Sequence, residues 1–407
     1  MNEQQVIKRA FVPVLGNVFL VLLGVVISLA MVEMLMRAFP NWIPPDVRVN
    51  PPARRVKAFI DESYYLRQSD GDLFYYMRGQ IAPLSPDEDE VVAQVQMVTD
   101  ANGFRNSPEE QATYDIVALG DSFTRASGVA YSWPQKLAEY AKRDVLNLGD
   151  VGFGPQDELK VLQQYGIKKQ PQWVIMAYFE GNDLYDSAAY EQANPFILFR
   201  FGKYALNQSI KSWNEKSWGV APVKVRSNYQ YPINIAINNK DLEVAFFSYY
   251  FSWLSVDRAV IESSQNFRLV SETILQVLEL SEAAGARFLL VYVPSKEHVY
   301  LPYLNDENIL ERVFTGVPAV ELDEAGFLQF TNERVKPEPT RRHMDDQAGL
   351  LADFAADHMI LYLDLTSTFQ EEAAAGAELY YRFDTHWNQH GHDLAASLIN
   401  KYIEKIH

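Results

Sequence analysis

Residues 115–124, DIVALGDSFT, carry an apolar run from Ile116 to Leu119 that stops at Gly120-Asp121-Ser122. A short unbroken apolar run bounded by a glycine-bearing polar turn is the pattern of a strand buried on both faces. The pattern recurs downstream in DVLNLG (144–149), PQWVIMAYF (171–179), ARFLLVYV (286–293) and HMILYLDL (358–365). Amphipathic stretches around 132–143, 156–166, 264–284 and 345–357 separate the runs. Strands alternating with helices predict an α/β fold whose central parallel sheet is covered on both faces. Ligands of such sheets sit beyond the carboxyl ends of the strands. Three polar loops fall there: GDSFT after the first run, GDVGFG (149–154) after the second and EGND (180–183) after the third.

Working toward the N-terminus, residues 10–36 form the one segment long and apolar enough to span a hydrocarbon core, which takes about 20 residues as a helix. Lys8 and Arg9 precede it, so a cytoplasmic tail at 1–9, an anchor at 10–36 and an extracytoplasmic remainder are expected, in the periplasm or at the cell exterior. The rival is a signal peptide cleaved after Ser28-Leu29-Ala30, against which the apolar run continues through Met36. Prolines 40, 44, 45, 51 and 52 make 37–55 an extended linker. Segments such as LFYYMR and VVAQVQMV give 56–112 the character of a β-rich extension with a few edge strands. The main domain is then 113–407, interrupted by insertions at 187–263 and 295–344. The aromatic-rich first insertion is either a satellite core or a sugar-stacking wall.

Composition excludes some chemistry. The formal net charge of −17 argues against a nucleic-acid partner, whose phosphates require clustered Lys and Arg. With no cysteine, disulfides, thiolate metal sites and Cys nucleophiles are excluded.

Ser122 lies where a buried strand turns to the surface, a suitable place for a nucleophile. Gly-Asp-Ser is also an ordinary turn and helix cap, so its company matters. A serine hydroxyl needs a base within hydrogen-bond reach and donors for the oxyanion formed on attack. Asp384-Thr385-His386-Trp387-Asn388 offers a base, and the loops at Gly152 and Asn182 offer donors. Asp384, His386, His390 and His392 could alternatively ligate zinc or iron, a reading that leaves Ser122 and Asn182 without a role. Asp121 and Asp183 are expected to bond within their own turns, and Asp150 and Glu180 to point away from an oxyanion site.

Taken in order from residue 119 to the C-terminus, these blocks resemble those of the SGNH, or GDSL, serine hydrolases. The resemblance implies a flavodoxin-like three-layer α/β/α fold, with Ser122 as nucleophile and His386 as general base. It implies an oxyanion hole built from the Ser122 and Gly152 backbone N–H groups and the Asn182 side-chain amide. The family usually places its aspartate three residues before the histidine, whereas Asp384 stands two before His386. This DTHW form, with TDANGFRN (99–106) and VPSKEHVY (293–300), looks like the bacterial envelope branch that includes alginate-acetylation-type acetyltransferases. The implied activity is esterase or O-acyltransferase chemistry with no cofactor and no metal, on O-acetyl groups of an envelope or exported polysaccharide. A membrane-bound acyl-donor protein is a partner this reading allows. Competing readings are a lipid or small-ester hydrolase, and a non-catalytic carbohydrate-binding or scaffold subunit.

Overall fold

The computed structural model describes residues 3–39, 64–69, 72–77, 98–126, 129–191, 198, 199, 201, 202, 205, 206, 233–238, 240–381 and 384–406. The chain divides into two units. One comprises Met1–Arg55 and Ala193–Val220. Its helix Glu3–Ala38 contains the expected anchor and runs unbroken through Ser28-Leu29-Ala30. The stretch Asn17–Ala38 is long and apolar enough to cross a membrane, and almost none of it is buried. Glu33 near its end accepts the Leu198 N–H at 2.8 Å and pairs with Arg37. The predicted linker lies outside the described residues from position 40 onward.

The second unit, Val56–Gln192 with Ala221–His407, holds the α/β fold. Its strands are β1 (Tyr64–Ser69), β2 (Asp72–Met77), β3 (Ile116–Gly120), β4 (Val145–Asn147), β5 (Trp173–Phe179), β6 (Ile233–Ile237), β7 (Lys240–Val244), β8 (Arg287–Val293), β9 (Pro318–Leu322), β10 (Leu328–Arg334) and β11 (Leu361–Asp364). Five of them, β3, β4, β5, β8 and β11, coincide with the apolar runs and form a parallel sheet in the order β11-β8-β5-β3-β4. Trp173, Ile175, Ala177 and Phe179 of β5 enter one apolar core, while Val174, Met176 and Tyr178 enter another on the opposite face. This is why the strand is apolar throughout instead of alternating. Helices cover both faces. Trp133–Ala141, started by a Ser132–Gln135 capping box, packs with the C-terminal helix Gln389–Lys405. Pro155–Val161, Gln265–Ala283 and Asp346–Asp357 supply the second core. The chain passes from β3 to β4 on one side, then to β5 on the other, so the carboxyl end of β3 is the topological switch point.

The N-terminal extension holds two paired strands. Among the described residues, β1 and β2 pair with each other and lie outside the central sheet, whose edges are β4 and β11. The sequence between them, Asp70-Gly71, is a pair favoured in two-residue hairpin connections, which pair strands locally. In the first insertion, Ile233, Ile235 and Ile237 of β6 face inward, and Phe246 packs edge-on to Phe251 at 5.4 Å. These described residues build core. The helix Asp183–Glu191 crosses the predicted boundary at 187.

Candidate active site

Ser122 opens a one-turn helix directly after β3, and Asp121 caps it, its Oδ1 accepting the Phe123 N–H at 2.9 Å. Gly120 permits this turn. Its φ is +149°, and a Cβ there would lie 2.1 Å from Thr124 Oγ1.

His386 is held by a bridged segment next to the last helix. Tyr380 and Trp387 form a bridge, the Tyr381 N–H donates to His386 O at 3.0 Å, and the Asn388 N–H donates to Leu379 O at 3.0 Å. His386 Nε2 stands 2.8 Å from Ser122 Oγ, and His386 Nδ1 stands 2.6 Å from Asp384 Oδ1. The carboxylate can accept only, so Nδ1 carries the proton and Nε2 is free to accept from serine. Asp384 Oδ1 also accepts the His386 backbone N–H at 2.8 Å. The carboxylate thus folds back on the residue two positions ahead, as in an Asx turn, and this explains how a spacing of two still aligns acid and imidazole.

Electrostatics follow from this geometry. Burial opposes charge on Asp384, but the His386 charge, the hydrogen bonds from His386 and the Lys296 ammonium bring it down to about 2. Burial likewise disfavours the imidazolium, yet Asp384 and, more weakly, Asp121 raise His386 above its ordinary value against the opposing pull of Lys296. Asp121 is fully buried, and burial lifts it to about 6 against the lowering effects of the Phe123 N–H, His386 and the Asn182 amide.

Asn182 follows β5 and precedes the helix Asp183–Glu191, with its carbonyl accepting the Asp186 N–H at 2.7 Å. Gly152 lies in the loop after β4 with φ +73°, and its Cβ position meets open space. That loop is held against the serine turn by the Asp150 N–H, which donates to Gly120 O at 3.2 Å. The three expected oxyanion donors therefore sit at the carboxyl ends of the adjacent strands β4, β3 and β5. Asp183 accepts the Phe179 N–H at 2.8 Å, and Asp150 pairs with Arg125 at 2.9 Å. Glu180 accepts from Tyr292, from the Ser295 N–H and from His298. Burial opposes charge on His298, but Glu180 and Asp345 on its two nitrogens raise it to about 10.

His390 is exposed, whereas His392 is buried against Trp387, where burial holds it well below its ordinary value. Among the described residues, the group placed to hold a metal is instead Asp257, His343 and Asp346. Their atoms are already joined, His343 Nδ1 to Asp346 Oδ2 at 2.7 Å.

Sequence reasoning missed several buried polar groups beside the site. Lys296 is fully buried and bonds to the loop bearing Asp384. Glu158 is fully buried with neither carboxylate oxygen hydrogen-bonded, and burial, then Asp121 and Asp157, push it well above the carboxylate range. Burial and then Asp121 lift Asp186 to about 8. Arg105 buries its guanidinium against the carbonyls of Ala126, Val129 and Ala130. The only signal for Lys296 and Arg105 was their place in VPSKEHVY and TDANGFRN.

Comparison with known proteins finds a family-model match toward the C-terminus. Residues 328–406 match the family model of the SGNH hydrolase-like domain of the acetyltransferase AlgX. The resemblance to SGNH/GDSL hydrolases of the envelope branch holds, and the matched stretch includes the DTHW block. The matched model describes a domain of an acetyltransferase, which supports esterase or acetyltransferase chemistry in general terms.

Among particular proteins, solved structures offer distant likenesses. The chain is similar to Axe2, an acetylxylan esterase from Geobacillus stearothermophilus, at 13% identity, covering 72% of this chain and 96% of that one with a TM-score of 0.33. It is similar to LAE5, an alpha/beta hydrolase enzyme from the Lake Arreo metagenome, at 12% identity, 73% and 98% coverage and a TM-score of 0.36. It is also similar to a GDSL-like lipase from Bacteroides thetaiotaomicron at 12% identity, 72% and 88% coverage and a TM-score of 0.34. No curated protein matches the chain.

Proposed function

We propose that the protein is a membrane-anchored, extracytoplasmic serine esterase or O-acyltransferase acting on O-acetyl groups of an envelope or exported polysaccharide. The observation that carries this reading is the unbroken line from Ser122 Oγ through His386, at 2.8 Å and 2.6 Å, to Asp384. In this mechanism His386 Nε2 takes the Ser122 proton as Oγ attacks the ester carbonyl. The Ser122 and Gly152 N–H groups and the Asn182 amide hold the oxyanion, where each donor is worth about 100- to 1,000-fold in rate. His386 then returns the proton to the departing alcohol, leaving an acyl-serine. Water, or a sugar hydroxyl deprotonated by the same nitrogen, attacks next and releases Ser122.

Support for the acetyl group comes from the match to an acetyltransferase domain. Support for the anchor comes from the exposed apolar helix, which would tether the site near the membrane, in reach of a membrane-bound acyl donor. The test is acetate release from p-nitrophenyl acetate and from an acetylated oligosaccharide by the detergent-solubilised full chain beside Ser122→Ala. Loss of activity on substitution supports the acyl-serine, and acetyl transfer to an added unacetylated glycan then selects transferase over esterase. Equal rates in the two proteins would displace this reading in favour of a carbohydrate-binding or scaffold subunit.

A further inference from the structure

The loop that carries Asp384 and His386 belongs to no helix and no strand longer than a bridge. Its backbone is closed at the base by the Tyr381–His386 bond, and Lys296 reaches it from the opposite side. Lys296 opens the helix Lys296–Tyr300 at the carboxyl end of β8, behind the Ser295 cap. Its Nζ donates to Asp384 O at 2.8 Å and to Tyr381 O at 3.2 Å, and lies 5.9 Å from the centroid of the Phe246 ring. The residue has no exposed surface. A buried ammonium is costly unless its N–H groups and charge are answered, and here both answers come from the Asp384 loop and from Glu297.

We propose that Lys296 is the positioning residue of the site, its ammonium clamping the Tyr381 and Asp384 carbonyls so that Asp384 stays under His386 and the base works in a fixed positive field. The inference rests on the Ser122–His386–Asp384 reading. Two functions are joined in one atom. The hydrogen bonds fix where the acid sits. The charge favours ionised Asp384 and disfavours protonated His386, opposing the influence of the acid. Other groups facing His386 are Asp121 and His392, and those facing Lys296 are Asp384 and Glu297. The half-buried Tyr250 phenol lies in the field of Glu297, Asp121 and Asp384. Burial outweighs the two carboxylates and lowers Lys296 to about 8, so the field itself weakens above neutrality.

The test compares Lys296→Met and Lys296→Arg in the full chain by the pH dependence of kcat/KM for p-nitrophenyl acetate, with melting temperature as a control. Removing a nearby positive charge raises the His386 pKa. The acid limb of Lys296→Met should therefore move to higher pH by about half a unit to one unit. Its kcat should fall about tenfold to a hundredfold at little cost in KM, as expected for a displaced acid. Lys296→Arg, which keeps the cation, should bring the limb back to its wild-type position. A purely structural residue would lower kcat and melting temperature together and leave the limb where it was. A natively folded Lys296→Met with an unmoved limb overturns the proposal.

Should the variants fail to fold, the wild-type protein decides. With histidine 13C labelling, the His386 ring signal should show a second, smaller inflection near pH 8 as Lys296 deprotonates, and its absence overturns the proposal. This readout does not depend on turnover. A Ser122→Ala enzyme of full activity would sink the catalytic reading while leaving the electrostatic tie measurable.

Discussion

Asp384→Asn removes one charge and changes almost no volume, so it isolates what the carboxylate contributes. Asp384 moves from 3.8 to about 2, a preference for the ionised form of roughly 2 kcal/mol. Much of that preference is shared with protonated His386, the state formed during attack, so its loss should lower kcat/KM roughly fiftyfold. A far larger loss, about 10,000-fold, follows in sites where the amide forces the wrong imidazole tautomer. That outcome is disfavoured here. The same Oδ1 accepts both the ring Nδ1–H and the His386 backbone N–H, so turning the amide nitrogen toward His386 would set it against two donors at once. The substituted amide is thereby held with its carbonyl facing the ring.

The pH profile gives a second, independent sign. In the proposed mechanism neutral His386 is the active form, so activity should fall as pH drops through its pKa, and the wild-type acid limb should lie above the ordinary histidine value of about 6.5. Without the Asp384 charge, burial and Lys296 remain as lowering influences, and the limb should move below its wild-type position. The assay is steady-state hydrolysis of p-nitrophenyl acetate across the acid and neutral range. A loss under threefold, or a limb that stays put or moves upward, would refute the assignment of Asp384 as the orienting acid. A loss near 10,000-fold would refute the argument that Oδ1 locks the amide.

The remaining predictions concern groups around the site. Asp121 and Asp157 at about 6, Asp186 at about 8 and the strongly raised Glu158 all bind protons more tightly folded than unfolded. Their contribution to stability is complete below the unfolded carboxylate range and is lost as pH rises through the folded values, so melting temperature should decline from pH 5 to pH 8. Glu158→Gln should raise melting temperature at pH 8 by about 2–4 °C and by clearly less at pH 5, and a variant that melts lower at pH 8 would contradict the reasoning. Arg105→Met strips the guanidinium from three carbonyls in the loop after the Ser122 helix, two of them at 2.7 Å. It should cost about 2–4 kcal/mol in denaturant unfolding and lower turnover as well, and a change below 0.5 kcal/mol, within the range of ordinary surface substitutions, would mean the loop is held by other contacts.

The central sheet was legible because burial on both faces leaves little freedom in composition: VALG, WVIMAYF and FLLVYV had to be apolar, and they became the inner strands, with VLN and LYLD at the edges. Ser122 was legible for a related reason, since the proposed nucleophile sits where such a run is cut off. His386 and Asp384 were picked out by a motif, but the sequence offered no reason why an acid two residues away should reach the ring. The reason lies in the backbone of the bridged segment, which turns the Asp384 carboxylate onto its neighbour's N–H. Strands β1 and β2 fall within the expected β-rich extension, but their pairing with each other was not legible, because alternation reveals a strand and not its partner.

The same limit explains why the charged surroundings were invisible. Lys296 and Glu297 stand in a polar run, SKEH, that read alone would be a solvated helix start, yet every side chain from Ser295 to His298 is buried. Their partners, Tyr381, Asp384 and Phe247, are distant in sequence, and a buried charge can be recognised only together with what neutralises it. Glu158 is a sharper case, because its place in an amphipathic stretch suggests an exposed face while the fold seals it among carboxylates. His386 stands between these two groups. Asp384 and Asp121 pull its pKa up, Lys296 and burial push it down, and the first pair prevails. The pH at which the proposed base becomes available is therefore set by residues that follow β3 and β8 together with those of the Asp384 segment. A motif can name the base, but only the assembled carboxyl edge of the sheet determines its working range.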